Sequence, residues 1–280
     1  PETVPLYVPG FDDLMYGGVP CEMPALTTLA GLPGSGKTLL LANAAAWLLK
    51  NGHDVLYVAL EYTTPPGKFA TLVRDVAKKL GISLQVNEGD GIEVRNNNAT
   101  LYFFDAVSID YGKATIPKVA EAVKQFNMKT GSPYVFVDSL TELTEWENQL
   151  RVALRGFLTP IARYCFSSRR RIAIVGTAQV RGIGLTIHES GGHALGHKST
   201  AIIDIETEFV SRFTKNYYKV KPGTQIHTIK VRKTAGYPHD RKEHFLLIDD
   251  NGIVTVGDAI PVLDICPGCG ESINDVKNVF

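Results

Sequence analysis

The chain has 280 residues, 44% of them hydrophobic and 21% charged, which is enough apolar material for one large or two small cores and unlike a disordered chain. Lys+Arg and Asp+Glu both number 29, so the overall charge gives no argument for a polyanion partner; only a local concentration of cations can. No apolar run is long enough to span a bilayer, and residues 1–5 lack the basic-then-apolar pattern of a secretion signal, so a cytoplasmic location is expected.

In chain order, residues 8–20 (Val-Pro-Gly-Phe-Asp-Asp-Leu-Met-Tyr-Gly-Gly-Val-Pro) read as a short amphipathic turn or helix ending at the double glycine. A strand is expected over 26–30 and an apolar helix over 39–49, stopped by Asn51-Gly52. Strand 54–60, helix 69–80, a polar Gly/Asn-rich loop over 87–98, strand 101–104 and helix 116–128 follow. Strand 133–140 carries an acid near its end, a helix over 149–167 is expected to break or restart near Pro160, and 172–177 is a further buried strand. Such alternation predicts an α/β fold with a mostly parallel sheet and helices on both faces. Residues 182–196 are glycine-rich without a period and read as a mobile loop. Segments 201–210, 225–232, 243–248 and 253–256 read as successive, mostly antiparallel strands. Residues 1–260 are therefore expected to form one domain and 261–280 a tail.

The stretch joining the first of these strands to the first helix carries the chemistry. Gly31, Gly36, Lys37 and Thr38 match G-x-x-x-x-G-K-[ST], the pattern of a loop that wraps phosphates. Gly31, Leu32, Pro33, Gly34, Ser35, Gly36, Lys37, Thr38 and Leu39 are the expected nucleotide-binding residues. Backbone amides and Lys37 would hold the phosphates, Thr38 would offer its hydroxyl to Mg2+, and the helix that follows points its positive end at the anion. Such a loop binds nucleotide without by itself hydrolysing it. Asp138, on a rigid strand, suits the Mg2+ shell beside Thr38, and Glu61, just after the strand that follows the first helix, suits a general base for the attacking water.

The four cysteines are too few and scattered for a disulfide framework; Cys21 and Cys165 read as buried thiols. Cys266-Pro-Gly-Cys269 is half of a zinc knuckle with no second pair. The chain is cut short, or two chains share an ion, or the turn is only a turn.

The phosphate loop, Glu61 after the next strand, Asp138-Ser139 on a later one and Gln179 after Ile-Val-Gly-Thr-Ala together resemble the RecA superfamily core. The 8–20 segment, and Ile-Lys-Val-Arg-Lys-Thr-Ala-Gly-Tyr-Pro-His around Lys230, are similar to the KaiC and archaeal RadA-paralogue branch. The resemblance spans roughly residues 8–256 and implies ATP hydrolysis between neighbouring subunits of a ring or filament. It implies that Gln179 senses the γ-phosphate and that Lys230 and Arg232 reach the adjacent subunit's nucleotide in trans, and two cations spaced by two on a strand share a face. Tyr62 stands where KaiC proteins often have a second acid, which argues against clock-type activity. A recombination or repair accessory, binding single-stranded DNA or a recombinase partner, is the expected role; the alternative is an ATP-dependent assembly switch read by protein partners without DNA.

Candidate nucleic-acid contacts are Arg181 and Lys198 in the glycine-rich loop and Arg212, Lys215 and Lys219 in the segment after it. From Ser211 to His244 cations far outnumber acids, and Tyr217, Tyr218 and Tyr237 are interleaved with them. Histidines 188, 193 and 197 are too loosely spaced to make a convincing metal site.

Overall fold

The computed structural model describes residues 2–88, 92–96, 98–108, 115–143, 150–183, 186–189, 193–211 and 220–260. The tail with Cys266 and Cys269, and the candidate contacts Arg212, Lys215 and Lys219, lie outside these residues. Strand β3 (Ala25–Gly31) is buried along its whole length, as a central parallel strand must be. It lies between β9 (Ala173–Ile183) and β11 (Ala201–Phe209), both parallel to it. Beyond β9 come β8 (Tyr134–Asp138), β4 (Val55–Ala59) and β7 (Ala99–Asp105), all parallel. Beyond β11 come β12 (Gln225–Thr234), β13 (Glu243–Ile248) and β14 (Val254–Ala259), each antiparallel to its neighbour. The expected mixed sheet is present, with β11 joining the parallel set as well as opening the antiparallel one. A separate short ribbon pairs β1 (Thr3–Val4) with β2 (Val19–Pro20).

Helices cover both faces because their apolar residues leave no alternative. Helix α1 (Lys37–Lys50) is apolar on nearly every side and packs with α2 (Pro66–Lys79) on one face, where Leu40, Leu41, Leu48 and Val73 share a core with Leu29, Tyr57 and Ile203. Helices α3 (Thr115–Thr130) and α4 (Leu150–Ser168) cover the other, burying Val123, Leu154, Phe157 and Ile161 against Val58 and Val137. The expected break at Pro160 does not occur: the buried stripe Ala153, Leu154, Phe157, Ile161, Cys165 continues through it, and packing holds the helix together. Cys21 and Cys165 are buried free thiols. Among the described residues no helix is long and apolar enough to cross a membrane.

Two loop expectations are corrected. Residues 85–96 contain β5 (Gln85–Glu88) and β6 (Ile92–Asn96), an antiparallel pair that extends the sheet from β7. Val86 lies opposite Val94, which is fully buried, so the pattern was an edge hairpin with one apolar face, masked by its glycines and asparagines. In the 182–196 stretch, β9 runs on to Ile183, β10 (Thr186–Glu189) folds back on it, and the short helix α5 (His193–Lys198) follows. Backbone pairing rather than side-chain period builds this stretch, which is why no period was visible.

Candidate nucleotide site

The loop between β3 and α1 crosses the carboxyl edge of the sheet, where ligands bind in open α/β folds. A Cβ on Gly31 would clash with the Ile205 carbonyl, so only glycine lets the loop leave β3 beside β11. Gly36 has φ 100°, the left-handed turn that starts α1. Lys37 Nζ donates to the carbonyls of Gly31 at 2.8 Å and Leu32 at 2.7 Å and lies 3.4 Å from Ser35 Oγ, so the lysine ties together the loop it belongs to. Burial lowers its pKa from 10.5 to about 8, against the pull of Asp138 and Glu61.

Register brings the remaining candidates to the same edge. Asp138 ends β8 opposite Ala59 of β4, and its carbonyl accepts from Leu60 N at 2.8 Å and Glu61 N at 3.1 Å, which places Glu61 beside it. Gln179 lies on β9 opposite Gly31. Thr38 Oγ1 donates to Asp138 Oδ2 at 2.9 Å, a direct link between the phosphate loop and the strand-end acid. Thr177 Oγ1 donates to Asp138 Oδ1 and Tyr57 OH to Oδ2 at 3.1 Å, so three hydroxyls surround one carboxylate. Burial still raises the Asp138 pKa, with those hydroxyls opposing and Glu61 adding to the rise. Glu61 Oε1 accepts from Thr63 Oγ1, and Lys68 Nζ holds the Thr63 carbonyl at 2.8 Å, so the loop after β4 is internally braced. A cavity of about 640 Å3, ample for a nucleoside triphosphate, is lined by Pro33, Gly34, Gly36, Lys37, Thr38 and Leu39 together with Glu61, Asp138 and Gln179.

A match to the family described as "ATPase: KaiC" runs over residues 4–259. The chain belongs to the KaiC family of ATPases. UPF0273 proteins of Aeropyrum pernix and Pyrococcus horikoshii are similar to it at 23% identity over 259 residues and 24% over 265, each covering 90% of this chain and 93% of the relative. A KaiC-like protein of Pyrococcus horikoshii shares the fold with a TM-score of 0.61 at 16% identity, over 92% of this chain and 99% of that one.

In this KaiC-family chain Lys230 and Arg232 do not line the cavity at the phosphate loop. Both are exposed on β12 either side of buried Val231, and both line a second cavity with Asp204, Glu206 and Arg241. The register skips Arg232, since Ile202 faces Lys233 and Ile203 faces Val231, and Arg232 Nε binds Asp204 Oδ2 at 2.8 Å. Lys198 ends α5 and is exposed; Arg181 lies in β9. Sequence reasoning missed Tyr57 and Thr177, which hold Asp138, and Gln225, His227 and Ile248, which close the cavity from β12 and β13. For Gln225 and His227 the signal was the alternation of β12: His227, three residues before Lys230, faces the other side of the sheet. Thr207 Oγ1 holds His227 Nδ1 at 2.9 Å.

Proposed function

We propose that the protein binds ATP with Mg2+ in this cavity and hydrolyses it, residues 1–260 acting as one unit and a second copy of the chain completing the site. The observation that carries this reading is the Thr38–Asp138 hydrogen bond. A Mg2+ ion bound with nucleotide needs one or two carboxylates or hydroxyls besides phosphate oxygens, and this pair is a hard-oxygen donor set on two rigid elements. Bound there, the ion would neutralise charge on the β- and γ-phosphates. The amides of Gly34, Ser35 and Gly36 and the Lys37 ammonium hold the phosphates, Glu61 takes the proton of the attacking water, and Gln179 contacts the γ-phosphate.

The proposed catalytic groups come from β9, β8 and the end of β4, all on one side of β3. The nucleoside is therefore placed on the other side, over Leu39 and Ile248 with Gln225 and His227 at its polar edge. Because folding lowers Lys37 to about 8, its charged form is nearly complete at pH 7 and is lost as pH rises through 8. Apparent ATP affinity is expected to fall by up to about tenfold per pH unit above that point. An affinity that stays flat from neutral pH into the alkaline range, read by calorimetry, would remove Lys37 as the phosphate's counter-charge.

Lys230 and Arg232 are assigned to the neighbouring copy's nucleotide, since neither lines the cavity of its own phosphate loop. Specific activity should then rise with protein concentration. Mixing inactive Lys37→Ala with inactive Arg232→Ala should restore turnover at about a quarter of the interfaces of a 1:1 assembly. No recovery in the mixture would return both cations to a structural role.

For the output of the cycle, the excess of cations over acids from Ser211 to His244, Lys233 and Arg241 among them, supports an accessory role in recombination or repair through single-stranded DNA or a recombinase. A mobility shift with labelled oligonucleotides at low salt, with ATP, with ADP and without nucleotide, tests it. Absence of any shift there favours an assembly switch read by a protein partner.

A further inference from the structure

Tyr57 is fully buried on β4, its ring stacked on Phe69 at 3.7 Å between centroids and edge-on to Phe103. Its hydroxyl carries one proton but faces two acceptors, Asp138 Oδ2 at 3.1 Å and the Thr64 carbonyl at 3.2 Å. Burial and the neighbouring Asp138 push its ionisation far upward, so it stays a donor. Thr64 N in turn donates to the Glu61 carbonyl at 3.3 Å, and buried Thr64 lines the same cavity as Glu61. The fixed ring therefore leaves the proton a choice between the acid of β8 and the turn that carries Glu61.

We propose that Tyr57 is a positioning residue whose hydroxyl turns its hydrogen bond from Asp138 to the Thr64 carbonyl when a cation binds beside Asp138, so that metal arrival tightens the Glu61 turn. The inference rests on the metal role assigned above. A bare carboxylate is the stronger acceptor. Once its charge is compensated, the preference weakens and the carbonyl, nearly as close, competes. No bond is made or broken beyond the exchange of one hydrogen bond for another, and the Leu60 and Glu61 amides stay on the Asp138 carbonyl throughout.

The 280-residue chain labelled with 3-fluorotyrosine gives fluorine signals for its 11 tyrosines, and Tyr57→Phe identifies one by its loss. Phenylalanine keeps the ring stack, so the variant should fold. ADP with EDTA should leave the Tyr57 signal in place, and ADP with Mg2+ should move it. In the same variant kcat should fall roughly tenfold, the rate equivalent of one hydrogen bond, with the KM for ATP unchanged. If Mg2+ tightens ADP binding but the Tyr57 signal stays still, the link is overturned while the metal site stands. If Mg2+ leaves ADP affinity untouched, the metal role of Asp138 falls and the link with it. A rise in KM matching the fall in kcat would reduce Tyr57 to packing.

Discussion

Lys37→Ala is expected to weaken ATP binding by about 100-fold or more, the effect of losing charge-assisted hydrogen bonds at roughly 1.5–3 kcal/mol each. Two losses combine. The phosphates lose an ammonium in a buried setting, where a charge acts more strongly than in water. The loop also loses its own brace, because Nζ spans the Gly31 and Leu32 carbonyls. Lys37→Arg should rescue little, since the nitrogen lies in a packed position that a planar fork does not fit. Titration with a fluorescent ATP analogue reads the result directly, and near-native affinity in Lys37→Ala would place the nucleotide elsewhere.

Glu61→Gln should do the opposite: bind ATP within a few-fold of the parent and lose turnover by about 10²–10⁴, the span of general-base catalysis. Glutamine keeps the shape and still accepts the Thr63 hydroxyl bond, and the Glu61 main chain remains on the Asp138 carbonyl at 3.1 Å. Only the capacity to take a proton goes. Phosphate release and nucleotide binding measured on one preparation separate the two steps. Unchanged hydrolysis in this variant would remove Glu61 from the mechanism.

The central strands and the loop were legible because both write themselves into short stretches. A wholly buried parallel strand tends to a continuous apolar run, as in residues 55–59, and the phosphate loop fixes the residue type at four of eight positions. Asp138 and Glu61 could be picked out because an acid ending an apolar run is conspicuous. What stayed hidden depends on pairs distant in sequence. Tyr57 looks like one more apolar residue of a strand until Asp138, 81 residues on, accepts its hydrogen bond. Thr177, 39 residues beyond Asp138, gives no local sign either. The 85–96 hairpin was obscured because edge strands carry polar and glycine residues that also mark loops.

Asn43 gives the phosphate-loop helix a mechanical tie. Fully buried near the middle of α1, it donates to the Gly252 carbonyl at 2.9 Å and accepts from Val254 N at 3.0 Å, gripping the turn between β13 and β14. β13 is laced to β12, where Glu243 lies across from Lys230. A tilt of α1 must therefore either carry that turn with it or leave buried polar groups unpaired, at about 1–3 kcal/mol for each. One buried amide therefore couples the helix that carries the phosphate loop to the outer strands, so α1 cannot reorient independently of the turn between β13 and β14.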